Sequence, residues 1–428
     1  MPLDLPADRA EEARAILRAN DRGGYTVPSA RMYPFQWNWD SPLTAIGWAT
    51  FDPDRAWREF ESLVTGQWAD GMIPHIVFHA DSDGYYPGPD AWGTDHAPRT
   101  SGISQPPVAA TCLRRLVDGA ADRQAALARA RPLVVKLAAW HRWWHETRDP
   151  AGSGLVAALH PWETGRDNSV EWDAPLAAVE PRVDVAALRK DILHADPSER
   201  PTHDYYNRVM TIVELGKSVG WNGTAFFARS PLRVCDLGIQ CLLLRADEDL
   251  GVLARELDLA PVATQLAAWR ARSLEAMARL WNPASGAYHS LDLLTDRLAR
   301  SVSVAAFLPL YAGAASRAQA DTLAATWRQA MTACRFGTPS TMPSIPGFDP
   351  RRYWRGPVWP FMNRLVADGF ARYGFADIAE RLRRDTRELV AQGGFREYFD
   401  PFTGAGLGGK DFSWTAAAWL VWAGVDAA

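Results

Sequence analysis

The chain has 428 residues, 47% of them hydrophobic, and 46 basic residues against 50 acidic ones leave a formal net charge of −4. This composition allows a large core, and a balanced charge without a lysine or arginine run argues against nucleic acid as a partner. The first twenty residues are charged and no apolar run approaches the roughly 20 residues that span a bilayer, so we expect a cytoplasmic protein without a membrane partner.

Helical periodicity dominates the sequence. In the segment 52–68, Asp52 can cap a helix, Pro53 fits its first position, and Trp57, Phe60 and Val64 recur at three- and four-residue spacing. The same pattern predicts further helices at 6–19, 106–118, 122–146, 203–219, 230–248, 261–281, 315–333, 357–373, 375–391 and 411–424. Strand-like stretches are short, as at 73–78, so the fold class is all-α.

About a dozen amphipathic helices can each bury one face by closing into a double ring, an α/α toroid. An α-solenoid is the alternative, but a solenoid shows a repeat of 20–50 residues and the sequence shows none. The toroid is therefore favoured.

The unusual residues lie in long loops that combine aromatic and polar side chains. These loops span 33–42, 83–107, 160–173, 194–206, 351–360 and 393–409. No linker composition divides the chain, so we expect one catalytic domain over 1–428, with a mobile insertion at about 175–205. The chain also has 20 tryptophans, and aromatic faces stack on sugar rings, although most tryptophans of a large helical protein pack in its core.

Metal and cofactor signals are weak. The four cysteines lack CxxC spacing and are expected to be reduced core thiols. His141 and His145 have the i, i+4 spacing of metal ligands, but the glutamate of HExxH is absent between them, so structural histidines are favoured. His75 and His79 share this spacing in a strand-like segment. We expect neither a metal nor a cofactor.

Two loop carboxylates could carry acid–base chemistry. Glycoside hydrolysis needs two carboxyl groups beside the scissile bond. Asp167 lies near Trp162, where an apolar wall would raise its pKa and keep it protonated, and Glu397 lies in a glycine-flanked loop beside Tyr398. Each could instead be a solvated charge or a helix cap.

Ordered strings carry a family resemblance over most of the chain. They are QWNWD, DGMIPHIVF, DGYYPGP, SGISQPP, HPWETGRDNS, DPSERPT, YWRGPVWP, and EYFDPFTG with a later SWTAAA. They resemble glycoside hydrolase family 63, in the branch of bacterial mannosylglycerate and glucosylglycerate hydrolases. The resemblance implies an (α/α)6 toroid and hydrolysis with inversion, with Asp167 as general acid and Glu397 as general base. Inversion predicts that the two carboxyl groups stand roughly 6.5–9.5 Å apart.

The resemblance also implies the residues that bind substrate. Those expected around the sugar are Trp37, Trp39, Asp40, Gln105, Trp162, Asn168, Tyr353, Trp354 and Trp359. For the tryptophans the alternative is core packing, and for Asp40 and Gln105 it is capping or holding loops together.

The expected aglycone is glycerate, whose carboxylate needs a cation. Arg200 and Tyr206 match the positions that bind this carboxylate in relatives, and Tyr86 adds a further contact. Alternatively, Arg200 is a surface residue that pairs with Asp196 or Glu199. The stretch 221–238 departs from the branch, which leaves the choice between glucose and mannose open.

Other functions remain alternatives. An α-glucosidase would cleave a neutral disaccharide or oligosaccharide, a sugar epimerase would need a histidine pair in its site, and a carbohydrate-binding protein would lack turnover. Among the histidines, only His160 lies in a sugar-like loop. Relatives often associate, so a homo-oligomer is allowed, although the sequence shows no interface pattern.

Overall fold

The computed structural model describes residues 8–425, so the predicted helix start at residues 6 and 7 lies outside the described part. The α-helices within this range are α1 Asp8–Asn20, α2 Asp40–Trp48, α3 Pro53–Leu63, α4 Pro89–Trp92, α5 Ala109–Asp118, α6 Arg123–Thr147, α7 Asp173–Ala177, α8 His203–Ser218, α9 Gly223–Arg229, α10 Leu237–Glu256, α11 Ala260–Ala276, α12 Leu308–Ala312, α13 Arg317–Ala330, α14 Pro360–Arg372, α15 Ala376–Gly393 and α16 Ser413–Ala418. A π-helical turn, Trp419–Ala423, continues α16.

Six inner helices close into a ring. In chain order α2, α5, α10, α12, α14 and α16 each contact the next, and α16 contacts α2 again. The helices α1, α3, α6, α11 and α15 pack on the outside of this ring. The outer helix α13 follows α12 and reaches α14 through Trp327, whose ring meets Phe370. The predicted toroid is therefore confirmed as an (α/α)6 barrel, because a solenoid would not return to its first helix.

Two of the inner helices, α2 and α12, are buried along their whole length. All nine residues of α2 and all five of α12 are buried. Where α2 meets α16 the backbones approach closely, since a Cβ added at Gly47 would lie 2.6 Å from that of Ala417. Such close packing leaves room only for small side chains where these two helices meet.

The outer helices are amphipathic, as predicted. Asp52 caps α3 by accepting a hydrogen bond from the Arg55 N–H, and α3 buries Trp57 and Phe60. It ends at Leu63 in a short 3-10 turn, before the predicted end at residue 68. The helix predicted at 230–248 is displaced, because α10 begins only at Leu237, after the strand at 234–235.

A buried cluster joins the outer helix α6 to the inner helix α10. His141 Nδ1 and His145 Nε2 lie 2.7 and 2.9 Å from the two carboxylate oxygens of Asp247. All three side chains are buried, so these histidines are structural.

Short antiparallel strands organise the loops. The strands are β1 Gln36–Trp37, β2 Ile76–Phe78, β3 Arg99–Thr100, β4 Val234–Cys235, β5 Trp281–Asn282, β6 Ala287–Tyr288, β7 Leu291–Asp292, β8 Arg297–Leu298, β9 Arg396–Phe399 and β10 Gly406–Lys410. They pair as β1-β2-β3, β4-β7-β8, β5-β6 and the hairpin β9-β10.

The predicted insertion at 175–205 begins in α7 and ends in α8, with short 3-10 turns at 186–188, 191–193 and 197–199 between them. Its C-terminal part is attached to the barrel, because the Gly408 N–H donates to Glu199 Oε2 at 3.1 Å and Arg352 Nε donates to the Ser198 carbonyl at 3.2 Å. Its mobility, like the single-domain organisation, stays a prediction.

No helix in residues 8–425 combines the length and the apolar character that crossing a membrane requires. All four cysteines are buried and free.

Candidate active site

Loops beside the inner helices surround one cavity. The enclosed volume of this cavity is about 60 Å³. The predicted site residues on its wall are Trp37, Trp39, Asp40, Tyr86, Gln105, Trp162, Asp167, Arg200, Tyr206, Tyr353 and Glu397.

Asp167 is held by the loop that follows a 3-10 turn. The turn ends at Gly165, whose φ of +65° is left-handed and whose added Cβ would lie 2.4 Å from the Trp39 ring, so only glycine fits. The neighbouring Arg166 is buried in ion pairs with two carboxylates. The Tyr205 hydroxyl donates to the Asp167 carbonyl at 2.7 Å. The Asp167 carboxyl is thereby fixed at the cavity wall.

The environment of Asp167 suits a proton donor. Burial raises the pKa of its carboxyl to about 7, the negative charge of Glu397 acts in the same direction, and Arg200 opposes both. A large fraction of Asp167 is therefore protonated near neutral pH.

Glu397 lies on strand β9, whereas the sequence predicted a loop. The Tyr33 hydroxyl donates to its Oε1 and the Gly409 N–H donates to its Oε2, both at 2.9 Å. An irregularity in the pairing with β10 turns this N–H toward the carboxylate. Gly408 has a φ of +64°, and an added Cβ there would lie 2.5 Å from Glu397 Oε2.

The charge state of Glu397 is set by opposing effects. Burial raises the pKa of this carboxyl, while Arg200, the Gly409 N–H and the Tyr33 hydroxyl lower it. Two donors to the carboxylate favour its ionised form, which is the form that accepts a proton from water.

Arg200 is a buried cation of the cavity, 3% exposed. Its Nε donates to Asp191 Oδ2 at 3.1 Å, and its guanidinium carbon lies 4.2 Å from the centre of the Tyr353 ring. Its Nη1 has no hydrogen-bond partner and lies 3.9 Å from Glu397 Oε2. The Tyr206 hydroxyl also donates to Asp191 Oδ2, at 3.3 Å.

The alternative of a surface arginine is wrong. Asp196 accepts hydrogen bonds from Ser198, and the side chain of Glu199 pairs with Arg351 and not with Arg200. The partner of Arg200 is Asp191, which comes from the insertion.

The sugar-binding candidates on the wall differ in their other contacts. Trp37, Trp39 and Trp162 are aromatic walls. Asp40 is the first residue of α2, and burial, reinforced by the nearby carboxylates, raises its pKa well above the ordinary value. Gln105 Oε1 accepts the Trp39 N–H at 3.2 Å, so it holds two loops together as well as lining the cavity.

Three predicted sugar-binding residues lie behind the wall. Asn168 Oδ1 accepts the Trp354 N–H at 3.0 Å. The Trp354 and Trp359 rings stack at 3.8 Å, and Trp359 Nε1 donates to the Tyr353 carbonyl at 3.3 Å. These side chains pack behind Tyr353, which has a left-handed φ of +42° and lines the cavity. A direct contact of these three with sugar stays a prediction.

A family model described as the mannosylglycerate hydrolase MGH1-like glycoside hydrolase domain matches residues 33–415. The chain belongs to this family. It is thus a glycoside hydrolase of family 63, as the resemblance of its strings predicted.

Three members of the family illustrate the similarity. Mannosylglycerate hydrolase MGH1 of Selaginella moellendorffii is 45% identical over 98% of this chain and 86% of its own length. Glucosylglycerate hydrolase of Mycolicibacterium hassiacum is 35% identical over 99% of both chains. The crystal structure of the family 63 mannosylglycerate hydrolase from Thermus thermophilus, in complex with Tris and D-glycerate, superposes with a TM-score of 0.92 at 42% identity, covering 96% of this chain and 99% of that one.

The cavity of this glycoside hydrolase also includes residues that sequence reasoning missed. They are Pro28, Tyr33, His75, Tyr85, Gly165, Asp191, Phe412 and Trp414. Tyr33, Tyr85 and Trp414 lie in or beside the aromatic strings that identified the family, so attention to every aromatic of those strings would have found them. No sequence signal pointed to Asp191.

The histidines of the site differ from the expectation. His160 does not line the cavity, and its Nε2 lies 3.0 Å from the Val209 carbonyl. His75 lines the cavity instead, and burial lowers its pKa to about 3. A single neutral histidine among the described wall residues does not supply the pair that an epimerase needs. In residues 8–425 no group of three or more histidine, cysteine or acidic side chains could hold a metal ion.

Proposed function

We propose that this glycoside hydrolase cleaves α-glycosides of glycerate, releasing mannose or glucose and glycerate. The observation that carries the proposal is Arg200, a buried guanidinium with an unpartnered Nη1 in the cavity that contains Asp167 and Glu397. A neutral aglycone would leave Nη1 without a hydrogen-bond partner, whereas a carboxylate can accept the paired hydrogen bonds of a guanidinium edge. The relatives named as mannosylglycerate and glucosylglycerate hydrolases, and the D-glycerate in the Thermus complex, support the same substrate class.

The aglycone carboxylate binds to Arg200 and Tyr206, with Tyr86 as a further contact. Asp191 positions Arg200, because its Oδ2 accepts a hydrogen bond from Nε–H at 3.1 Å and leaves Nη1 for a ligand. Arg189 binds Asp191 through two hydrogen bonds of 3.0 and 2.7 Å, and so compensates its charge. Glu397 lies 3.9 Å from Arg200, so two guanidiniums face two carboxylates here, and the unpartnered Nη1 of Arg200 is the group left to bind an anionic substrate.

The sugar is held by aromatic faces and a few polar groups. Trp37, Trp39 and Trp162 offer faces for the C–H groups of a pyranose, while Asp40 and Gln105 offer hydrogen bonds to its hydroxyls.

Hydrolysis proceeds with inversion in this proposal. Asp167 protonates the glycosidic oxygen as glycerate leaves, and Glu397 removes a proton from the water that attacks the anomeric carbon from the opposite face. The new C–O bond forms as the glycosidic bond breaks, so an α-glycoside yields the β-anomer of the free sugar. The pKa of about 7 at Asp167 and the two donors to Glu397 support this division of roles.

The decisive assay follows sugar release by proton NMR from 2-O-α-mannosylglycerate, 2-O-α-glucosylglycerate and neutral α-glucosides. We expect rapid cleavage of a glycerate conjugate with β-sugar appearing first, loss of turnover in Asp167→Asn, and near-normal turnover in Asp204→Asn, which changes an exposed aspartate of α8. Cleavage of neutral glucosides alone would replace the proposal with an α-glucosidase, and initial α-sugar would exclude inversion.

A further inference from the structure

A second cavity lies inside the barrel, separated from the catalytic cavity by Trp414, which lines both. Much of its wall is apolar and comes from inner helices, including Leu43 and Ile46 of α2. Two guanidiniums interrupt this wall, those of Arg115 on α5 and Arg364 on α14. The same arginines line an adjoining, more open pocket, so they stand between the cavity and solvent.

Arg364 has no direct polar partner among the described residues, and Asp368 compensates its charge only from a distance. Arg364 makes no hydrogen bond and no ion pair with the residues that the structure describes, and its Nε is buried without a partner. Burial lowers the pKa of Arg364 to about 10, and the positive charge of Arg115 acts in the same direction. Arginine pKa values fall only where the charge is poorly solvated and unpaired.

The surrounding charges do not balance this guanidinium. Arg115 has a carboxylate partner of its own, Asp368, also on α14. The two arginines and this aspartate therefore leave one uncompensated positive charge at the cavity mouth. The inner cavity has an enclosed volume of only about 20 Å³, so a ligand of more than one or two atoms would bind on its solvent side, in the open pocket that both arginines line.

We propose that Arg115 and Arg364 form a binding site for a small oxyanion, separate from the catalytic cavity. The ligand class is an anion with two or more oxygen acceptors, such as phosphate or a short carboxylate, because a guanidinium presents paired donors that match such oxygens. Occupancy would offset the repulsion between the two arginines, so the anion stabilises the folded enzyme.

Thermal unfolding of the full chain tests this site. Sodium phosphate, compared with sodium chloride at equal pH and ionic strength, should raise the Tm of the wild type by about 1–3 °C at saturating anion. The rise should be lost in Arg364→Gln and kept in Arg58→Gln, which changes an exposed arginine of α3. Without phosphate, Arg364→Gln should melt no lower than the wild type, because the change removes repulsion.

Further unfolding measurements identify the class of anion and the site where it binds. Sodium acetate replaces phosphate to show whether carboxylates share the site, and Arg200→Gln reports on anion binding in the catalytic cavity. Arg364→Lys keeps the charge but loses the paired donors, and should weaken apparent phosphate affinity about fivefold or more even if the glutamine variant does not fold. The proposal is overturned if neither anion raises the wild-type Tm, if the rise survives in both Arg364 variants, or if only Arg200→Gln removes it.

Discussion

Replacing Arg200 by glutamine removes the guanidinium that we expect to bind the aglycone carboxylate. The side chain is 3% exposed, so water does not replace it easily, and its Nη1 has no competing hydrogen-bond partner. An anionic substrate would then enter a cavity that keeps Asp191 and Glu397 as negative charges. A neutral glycoside would lose none of the carboxylate contacts.

The magnitude follows from the loss of a buried charge pair, about 2–5 kcal/mol. At about 1.4 kcal/mol per factor of ten, kcat/KM for a glycosylglycerate should fall about 30- to 5,000-fold. A second effect applies to all substrates, because Arg200 lowers the pKa of both Asp167 and Glu397. Both limbs of the pH–rate profile should therefore move to higher pH in the variant.

The assay compares kcat/KM for a glycosylglycerate and for a neutral glycoside of the same sugar across pH. Arg200→Lys should recover part of the loss, because it restores charge without the paired donors, and Arg58→Gln is the matched surface control. Equal losses on the two substrates, each measured at its own optimum pH, would refute the carboxylate role of Arg200.

Four further predictions test the catalytic carboxyl groups, the residues that position the site, and the buried cluster of Asp247. Activity of the wild type should fall as pH rises through about 7, where Asp167 loses its proton. It should also fall as pH decreases through the raised pKa of Glu397. An alkaline limb that persists unchanged in a weakly active Asp167→Asn variant would contradict this assignment. Gly408→Ala should lower kcat at least about tenfold with a smaller effect on KM, because its Cβ would meet Glu397 Oε2; unchanged steady-state kinetics would show that the base does not depend on this turn. Asp191→Asn should raise KM for a glycosylglycerate about tenfold while sparing neutral glycosides, since Arg200 would lose its charged anchor; a lower KM would indicate that Asp191 competes with the substrate. Asp247→Asn should cost about 3 kcal/mol in urea unfolding at pH 7. Burial raises the folded pKa of Asp247, but the two histidines lower it by more, so the difference from wild type should vanish as pH falls through the lowered folded pKa. A constant difference down to about pH 3 would point to packing instead of charge.

The outer layer of the barrel was readable from sequence because its helices are amphipathic. α3, α6 and α15 alternate buried and exposed positions at helical spacing. The predicted and observed ranges of α6 and α15 overlap closely, and α3 begins where predicted but ends five residues early. The inner helices α2 and α12 were missed, since a helix buried on all sides has no polar face to give a period.

The sequence also placed some site residues in the cavity correctly and others wrongly. Asp167, Glu397 and Arg200 were named from strings whose residue types and order carry the chemistry, and all three line one cavity. Asn168, Trp354 and Trp359 belong to the same strings but lie behind the wall, because a string does not specify which of its side chains points inward.

The sequence by itself determined the amphipathic outer helices, the family and the pair of carboxylates, because these depend on local periodicity and on residue identity in order. Only the tertiary structure decided which aromatics face the cavity, that Asp191 is the partner of Arg200, and that Glu397 receives the Gly409 N–H from a strand irregularity. These contacts join segments from distant parts of the chain, and their formation depends on the closing of the helical ring, which no local pattern encodes.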